Sequence, residues 1–183
     1  MSHTSWIVLT QGRRPAALAT AVASVDDAIV VVNTHEQVNL PGVDAGSVIR
    51  AGANLGVPGG RDHGVVATDA AVVGFLDDDA VAEPGIGVAA IEAFEREPRL
   101  GAVAFRLVDE NGETSRRHVP RFGGRDPERG GEAALFLGGA CAIRREAYLD
   151  AGGYWGELFY GHEELELSWR LIDRGWSIRY LPD

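Results

Sequence analysis

Ala70-Ala-Val-Val-Gly-Phe-Leu-Asp-Asp-Asp-Ala80 is the stretch that decides how the rest of the chain is read. Its apolar run has the length of a buried strand and ends abruptly in three consecutive carboxylates, Asp77, Asp78 and Asp79. In an open α/β sheet, ligands bind beyond the carboxyl ends of the strands, so acids placed there can be held together by a divalent cation. Alternation along an extended chain would send Asp77 and Asp79 to one side and Asp78 to the other. Hard oxygen ligands favour Mg2+ or Mn2+, ions that commonly bridge to a substrate's phosphates. A solvated acidic turn is the competing reading, and the triplet alone does not separate the two.

Upstream, residues 5–11 read as a first strand, broken by Gly12 and Pro15 and followed by an alanine-rich helix over 16–25. Residues 28–33 form a second buried strand, which completes the strand-helix-strand unit of a parallel sheet; 47–50 is a short third strand. Asn54-Leu-Gly-Val-Pro-Gly-Gly-Arg-Asp-His-Gly64 is expected as a Gly-rich loop before a helix, with helix N–H groups and Arg61 free to meet phosphate oxygens. It matches neither a Walker A motif nor a dinucleotide fingerprint, which weakens ATP hydrolysis and NAD chemistry as readings.

Downstream, a helix is expected over 84–97 and a strand over 101–108. Asn111-Gly112 signals a tight turn returning as a hairpin arm over 113–118. Residues 120–131 are expected as a mobile loop. A strand over 134–144 is interrupted by Gly138-Gly139, the mark of a bulge or of close backbone approach. A short helix follows over 145–151, then a helix over 162–174 and a last strand over 176–181. On that helix Leu165, Trp169 and Ile172 share the face expected to be buried, and Glu166 can pair with Arg170. Tyr154, Trp155 and Tyr160 fit either an aromatic platform for a ligand or local core.

Composition narrows the classes. A chain of 183 residues with 45% hydrophobic content can build a core without staples. The single cysteine, Cys141, excludes a disulfide framework and reads as a packed thiol. A net charge of −10 argues against nucleic acid as a partner. No apolar run reaches bilayer-spanning length and the N-terminus lacks a signal-peptide layout, so the expected address is cytoplasmic.

Taken together, the strand ending Thr10-Gln11, the strand ending Asn33, the segment with Arg61-Asp62, Phe-Leu-Asp-Asp-Asp79, Gly138-Gly-Ala-Cys-Ala-Ile-Arg-Arg145 and Tyr160-Gly-His-Glu-Glu-Leu-Glu-Leu-Ser-Trp-Arg170, followed by Gly175-Trp and Tyr180-Leu-Pro-Asp183, carry a likeness. The chain resembles the family-two inverting glycosyltransferases of the A-type, nucleotide-diphospho-sugar transferase fold, especially their rhamnosyltransferase-like members. The resemblance implies an α/β fold, one Rossmann-like mixed sheet flanked by helices, spanning 1–183 as a catalytic domain that lacks the C-terminal extension of longer relatives. It implies Thr10, Gln11, Asn33, Arg61 and Asp78 as nucleotide-binding residues, with Asn33 replacing the family's usual aspartate at the base. Asp77 and Asp79 are implied as ligands of Mn2+ or Mg2+, Glu164 as general base and Glu163 as its acidic neighbour. The implied partners are a nucleotide-diphospho-sugar donor and a carbohydrate or lipid-linked acceptor; contact with the inner membrane face and a homodimer are compatible additions. A sugar-nucleotide pyrophosphorylase and a non-catalytic nucleotide-sugar-binding domain remain as alternatives.

Overall fold

Along the first strand, β1 (Thr4–Thr10), side chains alternate between two cores: Ile7 joins one hydrophobic cluster, Trp6 and Val8 the other. The computed structural model, which describes residues 3–122 and 126–182, repeats this in β4 (Val72–Asp77). There Val73 and Phe75 face one side, Val72 and Leu76 the other. Strands apolar on both faces need a layer on each. One layer comes from α1 (Pro15–Ala23) and α3 (Ile86–Arg96), through Leu18, Ala21, Ala90 and Phe94. The other comes from α2 (Gly56–Val66), α4 (Arg145–Asp150) and α5 (Glu163–Asp173), through Val65, Tyr148, Leu167 and Leu171.

Among the described residues the remaining strands are β2 (Ala28–Val32), β3 (Val48–Arg50), β5 (Leu100–Phe105), β6 (Gly131–Glu132), β7 (Ala140–Arg144) and β8 (Ser177–Leu181). All eight form one sheet in the order β3-β2-β1-β4-β7-β5-β8-β6. β7 runs antiparallel to β4 and β5, and β6 antiparallel to β8; the other pairings are parallel. This is the expected mixed α/β sheet. The order turns around at β1, which has β2 on one side and β4 on the other, so a crevice opens beyond Thr10 and Asp77. No helix among the described residues is long and apolar enough to cross a membrane.

Four expectations change. The Gly-rich stretch is not a loop: Gly56 to Gly64 lie within α2. A Cβ at Gly60 would stand 2.4 Å from Leu9 Cδ1, and one at Gly64 2.6 Å from Ile7 Cγ2, so these glycines let the helix press onto β1. The backbone groups at its start are also not free. Leu55 N–H donates to Asn33 Oδ1 (2.9 Å), Gly56 N–H to Asn54 Oδ1 (3.0 Å) and Val57 N–H to Phe159 O (2.7 Å).

Second, the Asn111-Gly112 turn forms, with Gly112 N–H donating to Asp109 O at 2.9 Å, but its second arm is no strand; residues 116–118 make a 3-10 turn. Asp109 gathers the Asn111 and Glu113 N–H groups on its own side chain, so the turn closes locally without needing a ladder. Third, the interrupted strand begins only at Ala140. Fourth, α5 buries Glu163, Leu167, Ser168 and Leu171, a stripe at i, i+4, i+5 and i+8 whose leucines join the core, whereas Trp169 and Ile172 are exposed. Residues 123–125, at the centre of the expected mobile loop, and Asp183 lie outside the described residues.

Candidate active site

Strand β4 delivers Asp77 to the carboxyl edge of the sheet and stops there; Asp78 and Asp79 already belong to a turn, in which Ala80 N–H donates to Asp77 O (3.1 Å). The alternation expected of an extended chain therefore fails one residue early. Contacts divide the triplet differently. Asp77 meets Arg61, while Asp78 and Asp79 both meet Arg14.

In the Arg61 half, Arg61 and Glu163 are buried, whereas Asp77 reaches solvent at the sheet edge. The Arg61 guanidinium donates to Glu164 Oε1 at 2.9 Å and to Asp77 Oδ1 at 3.4 Å, and lies 3.8 Å from Glu163 Oε1. Below it pack the rings of Phe75 and Tyr154, 5.5 and 6.0 Å from the guanidinium carbon. A charge buried this way needs both its ion pairs and its aromatic faces. Gly138 and Gly139, expected to mark close approach to a ligand, instead mark close approach to this cluster. A Cβ on Gly138 would fall 1.9 Å from Glu164 Oε1 and 2.2 Å from Arg61, and one on Gly139 2.2 Å from Asp77 Oδ2.

Desolvation governs the protonation of these acids. Burial raises the Asp77 pKa above the usual carboxylate range, Arg61 pulls it down, and the charges of Asp79, Glu164 and Asp78 push it up again. Burial likewise raises Glu163, with Glu164 adding to the effect and Arg61 opposing it. Glu163 is 3% exposed and its Oε2 has no hydrogen-bond partner among the described residues. Ser168 steadies the turn behind the acids by donating to Glu164 O (2.6 Å). The thiol of Cys141 is fully buried, and burial raises its pKa strongly, in keeping with a packed rather than a nucleophilic cysteine.

The Arg14 half opens onto a cavity of about 460 Å3 lined by Thr10, Gln11, Arg14, Asn33, Asn54, Asp78 and Tyr160, among others. Asp78 is buried and accepts from Thr10 Oγ1 and from Arg14 Nη2, both at 2.5 Å; Arg14 Nη1 bonds Asp79. Asn33 is 3% exposed, and its carboxamide is used within the protein. Its Nδ2 donates to Gly56 O (2.8 Å) and Asn54 Oδ1 (3.3 Å), and its Oδ1 takes the Leu55 N–H.

Of the residues the sequence put forward, Thr10, Gln11, Asn33 and Asp78 line the cavity, and Arg61 does not. Asp77, Glu163 and Glu164 come together around Arg61. Tyr154 proves to be core, whereas Tyr160 and Trp155 are exposed. His162 is an exposed residue in the left-handed region (φ 66°) at the head of α5. Arg14 was missed. Its signal was a basic side chain at the N-terminus of α1, where the helix dipole disfavours positive charge and something else must favour it.

Asp77 and Asp79 suit Mg2+ or Mn2+ in donor chemistry, and these ions are commonly held by one or two carboxylates plus substrate phosphates. No group of three or more acidic, His or Cys side chains stands ready for a metal among the described residues, so the fit is to a cation that arrives with phosphate oxygens. Asp77 is the better placed, with its side chain 57% exposed; Asp79 shares its carboxylate with Arg14.

Residues 23–152, more than half of the chain, match the family model described as glycosyl transferase family 2, and the chain belongs to that family. No curated protein matches the sequence. Solved structures share the fold across the chain. GalNAc-T7, solved with UDP, GalNAc and Mn2+, superposes with a TM-score of 0.68 at 15% identity, covering 100% of this chain and 43% of that one. The mannosyltransferase PcManGT from Pyrobaculum calidifontis, in complex with GDP-Man and Mn2+, gives 0.71 at 14%, covering 100% and 55%. TarS of S. aureus gives 0.73 at 18%, covering 99% and 35%. The fold is therefore the A-type glycosyltransferase fold, and the chain spans roughly a third to a half of those proteins.

Proposed function

We propose that the chain moves a sugar from a nucleoside-diphosphate donor to an acceptor hydroxyl, with inversion and with Mn2+ or Mg2+ as cofactor. The observation that carries this reading is Arg61, bonded at once to Asp77 beside the cavity and to Glu164 at the start of α5. Acids from distant parts of the chain thereby share one site.

In this reading the nucleotide occupies the cavity against Thr10, Gln11, Asn54 and Asp78, and Asp77 and Asp79 are the residues that would hold the cation. When bound, the cation supplies positive charge where the leaving diphosphate becomes negative. Glu164 accepts the proton of the acceptor hydroxyl as that oxygen bonds to the anomeric carbon, a role contributing about 10²–10⁴-fold. The bond from the anomeric carbon to the phosphate oxygen breaks on the opposite face, and its electron pair leaves with the diphosphate. Arg61 fixes the Glu164 carboxylate while that happens. Glu163, buried behind, shapes the site without facing the cavity. The acceptor is a carbohydrate or lipid-linked hydroxyl, for which exposed Tyr160 and Trp155 offer aromatic surface.

A panel of nucleotide sugars with Mn2+ tests this by thermal stabilisation and donor hydrolysis, with NMR of the anomeric centre in any product. Stabilisation by one nucleotide class and a product of inverted configuration are expected. Binding without hydrolysis or transfer to any acceptor would favour the non-catalytic alternative; a retained configuration would remove the inverting mechanism.

A further inference from the structure

We infer that Arg14 exchanges the carboxylates of Asp78 and Asp79 for the donor's diphosphate, so that the cation binds with the nucleotide and is opposed when it comes alone. The inference rests on the donor-site reading above and adds to it a positioning residue and an order of binding.

Arg14 is placed for such an exchange. Its guanidinium lines the cavity and spreads its two Nη groups over two consecutive carboxylates, Asp78 and Asp79. That planar fork matches a phosphate as well as a carboxylate. Its side chain is 54% exposed, and that of Asp79 is 46% exposed, so breaking this pair leaves both groups in reach of water. Solvent screens that pair and makes it the easily exchanged one; Asp78, at 10% side-chain exposure, keeps the Thr10 hydroxyl as a donor when Arg14 leaves. Arg61, at 7% side-chain exposure, has no such freedom.

Charge sets the direction. A divalent cation on Asp79 with Arg14 still in place brings like charges within a few ångströms. Displacing Arg14 relieves the repulsion but strips it of its partners at the N-terminus of α1, whose dipole already disfavours a cation. A nucleoside diphosphate removes the difficulty, because its phosphates accept both the displaced guanidinium and the metal. Cation and nucleotide are thereby coupled through one side chain.

The test is Mn2+ binding followed by electron paramagnetic resonance on the full chain, as wild type, Arg14→Gln and Arg14→Lys, each alone and with excess UDP or GDP. Arg14→Gln should bind Mn2+ alone at least fivefold more tightly than wild type. The gain in Mn2+ affinity conferred by the nucleotide should be about tenfold or more in wild type and at least about fivefold smaller in Arg14→Gln, where only the phosphates' own contact with the cation remains, a coupling in the usual range for linked sites. Arg14→Lys, which keeps the charge, should bind Mn2+ alone as weakly as wild type. Circular dichroism and melting curves confirm that each variant is folded. Equal or weaker binding of Mn2+ alone by Arg14→Gln overturns the inference, as does an equal nucleotide-conferred gain in the two proteins. Should Arg14→Gln tighten Mn2+ while neither nucleotide binds either protein, the donor-site reading fails and takes the exchange with it, leaving only the blocking contact.

Discussion

Two arginines sit between carboxylates in this molecule, and their surroundings give them different work. Arg61 lies over aromatic rings, with Gly138 pressed against it and Glu164, and Gly139 against Asp77. Arg14 stands half in solvent at a cavity mouth. The same ion pair is a structural commitment in the first place and an exchangeable contact in the second, and desolvation makes the difference.

Removing the buried partner should break the comparison most forcefully. Arg61→Met leaves Glu164 and Asp77 without their counter-ion and should cost about 3–5 kcal/mol of stability, read from the urea midpoint. A loss under about 1 kcal/mol would place Arg61 in the exchangeable class. Next comes Gly138→Ala, whose methyl must displace Glu164 Oε1 or Arg61. Overpacking of this kind costs about 1–3 kcal/mol, and sugar transfer should fall with it. Wild-type activity and midpoint would show that the acids are not held as tightly as their distances imply.

A smaller effect is expected from Glu163→Gln, and its sign depends on pH. The folded pKa of Glu163 is raised by burial, so between its ordinary value of about 4.5 and the raised one the folded chain binds more protons than the unfolded chain. Stability therefore falls as pH climbs through that window, and Asp77, raised for the same reason, adds to the fall. The amide cannot ionise, so Glu163→Gln should melt higher than wild type at neutral pH, with the advantage shrinking below the ordinary carboxylate value. A pH-independent difference in melting temperature would contradict the burial argument. The smallest change should come from Arg14→Gln, whose exposed pair with Asp79 contributes no more than about 1 kcal/mol, and less at high salt, while buried Asp78 keeps the Thr10 hydroxyl.

Much of the fold was legible because buried parallel strands write continuous apolar runs. Residues 28–33 and 70–77 could be read directly, and the acids closing the second run pointed to the crevice. The glycines of α2 misled, since a helix pressed against a strand calls for the same residue as a loop near phosphate, and only Leu9 and Ile7 beneath them tell the two apart. The face of α5 misled too. Trp169 and Ile172 are apolar yet exposed, whereas a glutamate is buried because an arginine from α2 meets it. Asn33 was read as a base contact, and the structure shows its amide bonded to residues 54–56, a pairing that depends on a chain crossing no spacing reveals. Glu164, the aspartates and Arg61 could be named as candidates from the sequence, while Arg14 and the contacts that tie Arg61 to Asp77 and Glu164 appear only in the structure.

The central claim is that Glu164, held by Arg61 at the start of α5, takes the acceptor's proton. Donor affinity and single-turnover transfer measured side by side for Glu164→Gln test it most directly. Nucleotide-sugar affinity in Mn2+ should remain within about threefold of wild type while transfer falls by about 10²-fold or more. Transfer at the wild-type rate with donor affinity intact would contradict it.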